Sequence, residues 1–317
     1  MNLEQLRGFA TIARMGHFTR AAEALHLSQP SLSRQISTLE HDLGTTLVNR
    51  TRGNLTLTAA GRALLPLATR MLADAESIRV EMAELAGLRR GRVRLGAPPT
   101  LCVSLVAEVL ETYRATYPGI ELQISEAGSR TLLEQLTGGQ LDLALIVTSE
   151  HAVTEPSLAH TEVLVEQLVV ADSMQHPRLG QGPVELRDLA TVPQIAFSPS
   201  YDLRAATQSA YRTLGLSPNV VIDGGEMDAV LRFVQVGLGV AIVPATALVG
   251  RSQLNGRALR STPRKDTDLS QPNLERTIGL AHRRDTPPGA AAIAMRELLL
   301  QTAGQLAQRH PQISLRS

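Results

Sequence analysis

Arg34 stands in a run from Ser28 to Thr38 whose residue types and spacing suit contact with a polyanion. Leu32, Ile36, Leu39 and Leu43 recur at spacings of four, three and four, the period of one helix face. Pro30, Arg34, Ser37 and Thr38 point away from that face. An arginine so placed can bond guanine O6 and N7 together through its planar fork, which suits it to reading base edges in a major groove. Ser28, Ser33 and the start of the helix can hold phosphates without reading sequence. Arg50 and Arg52, in a hairpin further on, could reach a neighbouring backbone or the minor groove. The partner that fits is double-stranded DNA.

The elements that must present these residues are legible around them. Leu3, Leu6, Phe9, Ala10 and Ala13 form one helical stripe, and Ala21, Ala22 and Leu25 a second, shorter one. Thr19 is expected to cap the second helix. Ser28 is expected to cap the third, with Pro30 in its first turn, where a missing N–H costs nothing, and Gly44 closes it. A Gly53-Asn54 turn between two short strands follows. A short helix, a tight turn and a longer helix make a helix–turn–helix. A small three-helix packing unit with a solvated face is the alternative that the pattern alone leaves open.

Residues 58–87 carry a heptad. Leu64, Ala68, Met71, Ala75, Ile78, Met82 and Leu85 alternate spacings of four and three. A lone helix would expose this stripe to water, so it predicts a seam between two copies of the helix. The other possibility is a helix packed on its own domain. Pro66 removes one backbone hydrogen bond and is expected to bend the helix locally. Gly87 to Gly91 reads as the linker that ends it.

Composition bounds the classes. The chain has 317 residues, 43% of them apolar, enough for a sizeable core in two or three units. Charged residues make up 19% and the net charge is +1, which argues against a disordered polyelectrolyte. Residues 1–90 hold 11 arginines against 8 acidic residues, a net +3, whereas the remainder is at −2. The N-terminal part is therefore the one placed to meet a polyanion. A single cysteine, Cys102, excludes an intramolecular disulfide framework and any Cys-only zinc site. The N-terminus lacks a basic lead followed by an apolar core, and no run of about 18 uncharged apolar residues exists for a membrane span. A cytoplasmic protein with no membrane partner is expected.

From residue 92 onward strand-like and helical runs alternate, which argues for parallel α/β sheets. Strand-like runs fall at 93–97, 120–127, 141–147, 165–171, 193–197, 219–223, 239–244 and 276–282. Helical runs fall near 101–116, 129–138, 201–214 and 226–236. About 225 residues of this alternation suggest two lobes rather than one sheet. The polar stretch 261–275 is the expected connection between lobes.

The N-terminal run resembles a known family. Phe18-Thr19, Ala21-Ala22, Leu25, Ser28-Gln29-Pro30-Ser31-Leu32-Ser33-Arg34-Gln35-Ile36, Leu39-Glu40, Leu43-Gly44 and Leu47 look like the LysR-type bacterial transcriptional regulators. Arg50, Leu57-Thr58 and Ala60-Gly61 continue the match. The C-terminal part resembles the family mainly in layout, through Gly96, Pro118, Gly139, Leu141-Asp142 and the run from Gly237 to Ala241. Val48 stands where the family usually has phenylalanine, and His17 where serine is common. The resemblance implies an α/β chain with an all-α-plus-wing N-terminal domain. Its parts would be a winged helix–turn–helix, a dimerising linker helix and a bilobal, periplasmic-binding-protein-like effector domain, commonly in a homotetramer. Carried over by position, DNA contacts fall on Gln29, Pro30, Ser33 and Arg34, with wing contacts near Arg50 and Arg52.

In such a bilobal domain the ligand sits between lobes, at strand ends and helix starts. Pro99, Thr100 and Leu101 follow the first strand of that half. Ser129 opens a helix and Thr148 ends a strand. Ser198, Ser200 and Tyr201 follow another strand, and Met227 opens a further helix. The resemblance puts the effector pocket at these positions. Hydroxyls at helix N-termini suit an anionic metabolite, although such residues are also ordinary caps. Leu101, Ile146 and Met227 are the expected apolar walls. Cys102, beside this site, is expected to be a packing residue.

Catalytic motifs are lacking. There is no nucleophile elbow, no His-Glu-x-x-His and no phosphate-binding Gly-Lys loop. Gly237-Leu238-Gly239 resembles half a dinucleotide loop, but it follows a helix and precedes a strand, the reverse of the required order. No cofactor or metal is expected, and an enzyme is not. The expected division is 1–57 for DNA binding, 58–90 for the linker helix, 91–162 with 270–303 for lobe I, 163–269 for lobe II and 304–317 for a tail. The other function class is a cytoplasmic small-molecule-binding protein or enzyme whose N-terminal helices serve assembly. Salt-dependent promoter binding separates the two.

Overall fold

The computed structural model describes residues 1–51, 54–84, 91–148, 156–199, 201–260, 274–286 and 288–315. Three helices open it: α1 (Leu3–Met15), α2 (Phe18–Ala24) and α3 (Gln29–Leu43). Asn2 caps α1 by accepting from the Gln5 N–H at 2.9 Å, and the Gln5 side chain accepts from the Asn2 N–H at 2.8 Å. This reciprocal pair satisfies two donors that the first turn would otherwise orphan. The inner face of α1 is Leu6, Phe9 and Ile12, rotated from the expected stripe, because Ile12 buries more apolar surface there than Ala10 or Ala13 would. Leu3 is exposed.

The cap of α2 is His17 rather than Thr19: its Nδ1 accepts from the Thr19 N–H at 3.3 Å, so an imidazole nitrogen fills the place expected of a hydroxyl. Residues 25–28 turn the chain into α3, with His26 in the left-handed region at φ 54°. Ser28 accepts from the Ser31 N–H at 3.3 Å, Pro30 lies in the first turn, and Gly44 at φ 66° ends the helix. Leu32, Ile36 and Leu39 are buried, whereas Leu43 is exposed, since the chain turns away directly after it.

Strands β1 (Val48–Thr51) and β2 (Asn54–Leu57) pair antiparallel with Thr51 opposite Asn54. Asn54 therefore belongs to the ladder rather than to the expected Gly53-Asn54 turn, and residues 52 and 53 lie outside the described residues. Helix α4 (Ala59–Glu84) follows. Its start is seated by Thr58, whose hydroxyl accepts from the Gly61 N–H at 3.0 Å and donates to the Thr46 carbonyl at 2.7 Å. The heptad divides along this helix. Ala68, with Leu64, Leu65 and Leu72, packs on the core of α1–α3, while Met71, Ile78 and Met82 are exposed, Ile78 at 61%. Leu85 and residues 87–90 of the expected linker lie outside the described residues, and Gly91 already belongs to the next strand.

The rest of the chain builds a second body. In order come β3 (Gly91–Ala97), α5 (Pro99–Leu101) running through a π-helical turn into α6 (Ala107–Thr116), β4 (Ile120–Glu126), α7 (Ser129–Thr137) and β5 (Leu143–Thr148). Then come β6 (Leu158–Ser173), β7 (Val184–Glu185), α8 (Leu186–Leu189), β8 (Gln194–Phe197), α9 (Asp202–Thr213), β9 (Val220–Gly225) and α10 (Met227–Gln235). Last are β10 (Ala241–Pro244), a 3₁₀ turn (Ala245–Leu248), β11 (Leu254–Arg260), β12 (Glu275–Arg283), α11 (Ala290–Arg309) and β13 (Ile313–Leu315).

The sheets are mixed rather than parallel throughout. Strand β3 pairs parallel with β4 and β5, and β8 parallel with β9, as expected of α/β units. Strand β12, however, runs antiparallel to both β5 and β6, and β10, β11 and β13 run antiparallel to β6. The expected strand 165–171 is the middle of a 16-residue strand, because residues 158–164 also pair with β12. Leu158 to Gln167 face β12, and Leu168 to Ser173 face β10 and β11, so one strand serves both halves of the body. It crosses the expected lobe boundary at 162/163. Residues 304–315, read as a tail, complete α11 and form β13. Of the polar connection expected at 261–275, residues 261–273 lie outside the described residues.

Ion pairs join α4 to this body. Arg283, 8% exposed, meets Asp74 of α4 at 2.8 Å and Asp285 at 3.1 Å, and Arg70 of α4 also pairs with Asp285. Among the described residues no helix is long and apolar enough to cross a membrane.

Gly61 marks the tightest joint of the N-terminal unit, since a Cβ there would lie 2.1 Å from the Leu47 carbonyl oxygen. Gly61→Ala should lower stability by about 1–3 kcal/mol, because backbone must move to admit one methyl group. Urea unfolding of the variant with an unchanged midpoint would contradict this close approach of α4 to the strand entry.

Candidate functional site

The outer face of α3 is built by the burial of its inner one. With Leu32, Ile36 and Leu39 inside, Gln29, Pro30, Arg34, Ser37 and Thr38 are exposed and Ser33 is half-buried. The Arg34 guanidinium has no partner among the described residues. Thr38 donates its hydroxyl proton to the Arg34 carbonyl at 2.9 Å, so towards a ligand it offers lone pairs only. Ser28 is exposed, with its oxygen engaged in the cap. Glu40, on the same helix, accepts from the Leu47 and Val48 N–H groups at 2.8 and 3.3 Å. That carboxylate fixes the strand entry against α3, a tie that sequence reasoning missed. Arg50 lies in β1 opposite Leu55, and Arg52 lies outside the described residues. A free guanidinium on a rigid, cap-fixed helix can enter a groove without first breaking an ion pair.

A second constellation lies where β3, β5, β6 and β12 meet. Thr100, 3% exposed in α5, accepts from Arg276 Nη2 at 2.8 Å. Arg276 Nε donates to Glu166 Oε1 at 2.7 Å. Glu166 is fully buried on β6, and its Oε2 accepts from the Thr246 N–H at 2.9 Å and the Thr246 hydroxyl at 2.7 Å. A buried carboxylate is tolerated only when paired and hydrogen-bonded, and this one is both. Thr246 lies in the 3₁₀ turn after β10, which packs against α5. The chain Thr100–Arg276–Glu166–Thr246 therefore ties the end of β3 to the end of β10. Sequence reasoning selected Thr100 and missed the other three; a lone glutamate inside the apolar run of β6 was the available signal.

The remaining expected pocket residues divide. Ser129, buried at the start of α7, accepts from the Val147 N–H at 2.9 Å, and Thr148 donates to the Thr277 carbonyl at 3.3 Å. Both hydroxyls hold main chain. Pro99 is half-buried and Leu101 fully buried. Ile146 is fully buried in a separate cluster with Leu132, Leu136 and Ala144. The Ser198 N–H donates to the Gly225 carbonyl at 3.0 Å, and Ser200 lies outside the described residues. Tyr201 stacks on Phe197 with ring centroids 5.4 Å apart. Burial pushes its hydroxyl above the usual tyrosine range, the Met227 N–H opposes this, and the Glu226 and Glu126 carboxylates add to it. Met227 is buried at the start of α10. Among the described residues no three His, Cys, Asp or Glu are placed to hold a metal ion.

Both constellations lie within regions that match known protein families. Residues 3–62 match the model for the bacterial regulatory helix-turn-helix protein, lysR family, and residues 86–304 match the LysR substrate binding domain. The chain is 31% identical over 281 residues to the uncharacterized HTH-type transcriptional regulator YybE of Bacillus subtilis, covering 89% of this chain and 92% of the relative. It is 30% identical over 305 residues to a probable hydrogen peroxide-inducible genes activator of Streptomyces viridosporus, covering 94% of each. Among solved structures, full-length CbnR complexed with its target DNA superposes with a TM-score of 0.67 at 22% identity, covering 95% of this chain and all of that one. That likeness speaks for the fold.

Cys102 lies beside Thr100 and is half-buried, with its Sγ donating to the Ala97 carbonyl at 3.5 Å. Burial, with Glu126 adding to it, pushes the thiol up to about 11. The thiolate is the reactive form, so its population at neutral pH is depressed by both causes. Folded protein should therefore react with a thiol reagent at pH 8 far more slowly than the same protein in denaturant. Equal rates would show that the thiol is not held in this environment.

Proposed function

Because the chain belongs to the LysR family of bacterial transcriptional regulators, we propose that α3 enters the major groove of promoter DNA and that a small molecule between the two lobes controls that binding. The outward Arg34, without a partner among the described residues and carried on a capped helix, is the observation that carries the DNA reading. Ser28, Gln29 and Ser33 would hold phosphates beside the start of α3, Pro30 and Thr38 would line the face turned to the groove, and Arg50 and Arg52 would reach the backbone beside it. We assign residues 1–57 to DNA binding, 58–90 to the linker helix, and the remainder to the two lobes and the C-terminal tail. The exposed stripe Met71, Ile78 and Met82 is the surface through which two copies would pair, and a homotetramer would follow from pairs of such dimers.

A peroxide-sensing role, suggested by the names of some relatives, does not fit the chemistry of this chain. Cys102 is the only cysteine, and its thiol is pushed up to about 11, the opposite of what a peroxide-reactive thiolate needs. A small-molecule signal fits better, with Thr100, Ser129, Thr148, Ser198, Tyr201 and Met227 at strand ends and helix starts.

Arg34→Ala should leave folding intact and weaken binding to the specific site by about 1–3 kcal/mol, read by fluorescence anisotropy on promoter and scrambled DNA. A folded variant that binds its operator as the wild type does would remove α3 from the groove. Ile78→Asp places a charge in the middle of the exposed stripe, and in a seam that charge would be desolvated without a partner. Sedimentation should show the dimer lost and promoter binding weakened together, since paired half-sites need paired readers. An unchanged oligomer with unchanged DNA affinity would contradict the seam.

A further inference from the structure

The guanidinium of Arg276 is oriented but not saturated. Nε donates to Glu166 at 2.7 Å and Nη2 to Thr100 at 2.8 Å, while Nη1 has no partner among the described residues. An arginine presents five N–H donors in one plane, so three remain for another acceptor. Thr100 accepts from Arg276, which directs its own proton elsewhere. Free donors on one guanidinium edge and an adjacent hydroxyl match the two oxygens of a carboxylate. Glu166 does not fill this role, because it is buried behind the guanidinium and its second oxygen is held by Thr246.

The opposite end of the same corner has the other sign. Ala97, at the end of β3, accepts from the Ala127 N–H at 3.3 Å and from Cys102 Sγ at 3.5 Å, which brings the end of β4 against α5. Glu126 ends β4 and is exposed there, and Glu226, also exposed, stands at the entry to α10. Both carboxylates lie close enough to Tyr201 to act on its hydroxyl, and Glu126 acts on Cys102 as well. A second negative group on a ligand held by Arg276 would meet like charge at this end.

We infer that Arg276 is the specificity-determining residue of the cleft and that the ligand is a monocarboxylate, with Glu126 and Glu226 excluding dicarboxylates. This rests on the effector-responsive reading above and narrows it to a chemical class. The ligand carboxylate takes the free Arg276 donors and the Thr100 proton, and Glu166 holds the guanidinium in plane for it.

The test is thermal unfolding of the full chain with aliphatic, aromatic and amino monocarboxylates, each beside its primary amide and the matched dicarboxylate. At least one monocarboxylate should raise Tm where its amide and the dicarboxylate do not. The paired substitution Glu166→Gln with Arg276→Gln removes the buried carboxylate and its partly exposed counter-charge together, which avoids leaving either one unpaired. It should weaken that ligand roughly 10- to 100-fold. Glu126→Gln with Glu226→Gln should admit the dicarboxylate. An amide that binds as tightly as its acid, a wild type that prefers the dicarboxylate, or unchanged affinity in the Glu166–Arg276 pair variant would overturn the inference. If no panel member shifts Tm but a fraction of cell metabolites alters promoter binding, the ligand class fails and the effector reading stands. Promoter binding indifferent to every metabolite fraction overturns the effector reading instead.

Discussion

A glutamate with no exposed surface sits in the middle of β6, and the architecture of the second body is arranged around keeping it satisfied. Glu166 takes Arg276 from β12 on one oxygen and Thr246 from the turn after β10 on the other. Removing Arg276 would leave the buried carboxylate without its counter-charge, a loss that several kcal/mol of packing would be needed to offset. The strand that carries Glu166 is also the strand shared by both halves of the sheet. The polar tie and the shared backbone therefore coincide at one point.

That coincidence gives the proposed binding corner its physical character. Thr100 is presented by α5 in direct contact with this tie, rather than as an isolated hydroxyl at a helix start. A ligand acceptor at Thr100 would meet a network that already reaches into both halves. The proposed DNA-reading face is organised differently. It depends on caps and one carboxylate: Ser28 and Gly44 bound α3, and Glu40 fixes the strand entry beside it. Between them, α4 packs on the N-terminal core over its first half and meets the second body through Arg70, Asp74, Arg283 and Asp285. Named contacts thus run from the N-terminal core through α4 to the second body.

Much of the N-terminal unit was legible in the sequence because its determinants are local. Ser28, Pro30 and Gly44 act within a turn of where they stand, and the Leu32–Ile36–Leu39 spacing fixes which side of α3 faces out. Errors there came from near-degenerate choices, such as His17 over Thr19 for one cap and Ile12 over Ala13 for one face. In the second body the parallel units were readable from alternation, but the antiparallel crossings were not. Their pairing joins residues such as Glu166 and Arg276, 110 positions apart, and no local period reports such a register. Helix α11 was missed although its inner residues Met295, Leu299, Thr302 and Leu306 follow helical spacing. Of the expected binding residues, Thr100 was legible from its place after a strand. Its partners were not, because a charge inside an apolar strand looks like an irregularity until its counter-charge is seen.

The central claim is that one chain couples a ligand between its lobes to the DNA on α3, and coupling of that kind is reciprocal. The most direct measurement is therefore the affinity of the Tm-shifting monocarboxylate for the full chain, by calorimetry, with and without saturating promoter DNA. The account predicts that DNA changes the ligand affinity by the same factor by which the ligand changes the DNA affinity. Ligand affinity that is identical in the two titrations, alongside a ligand-dependent promoter response, would contradict it.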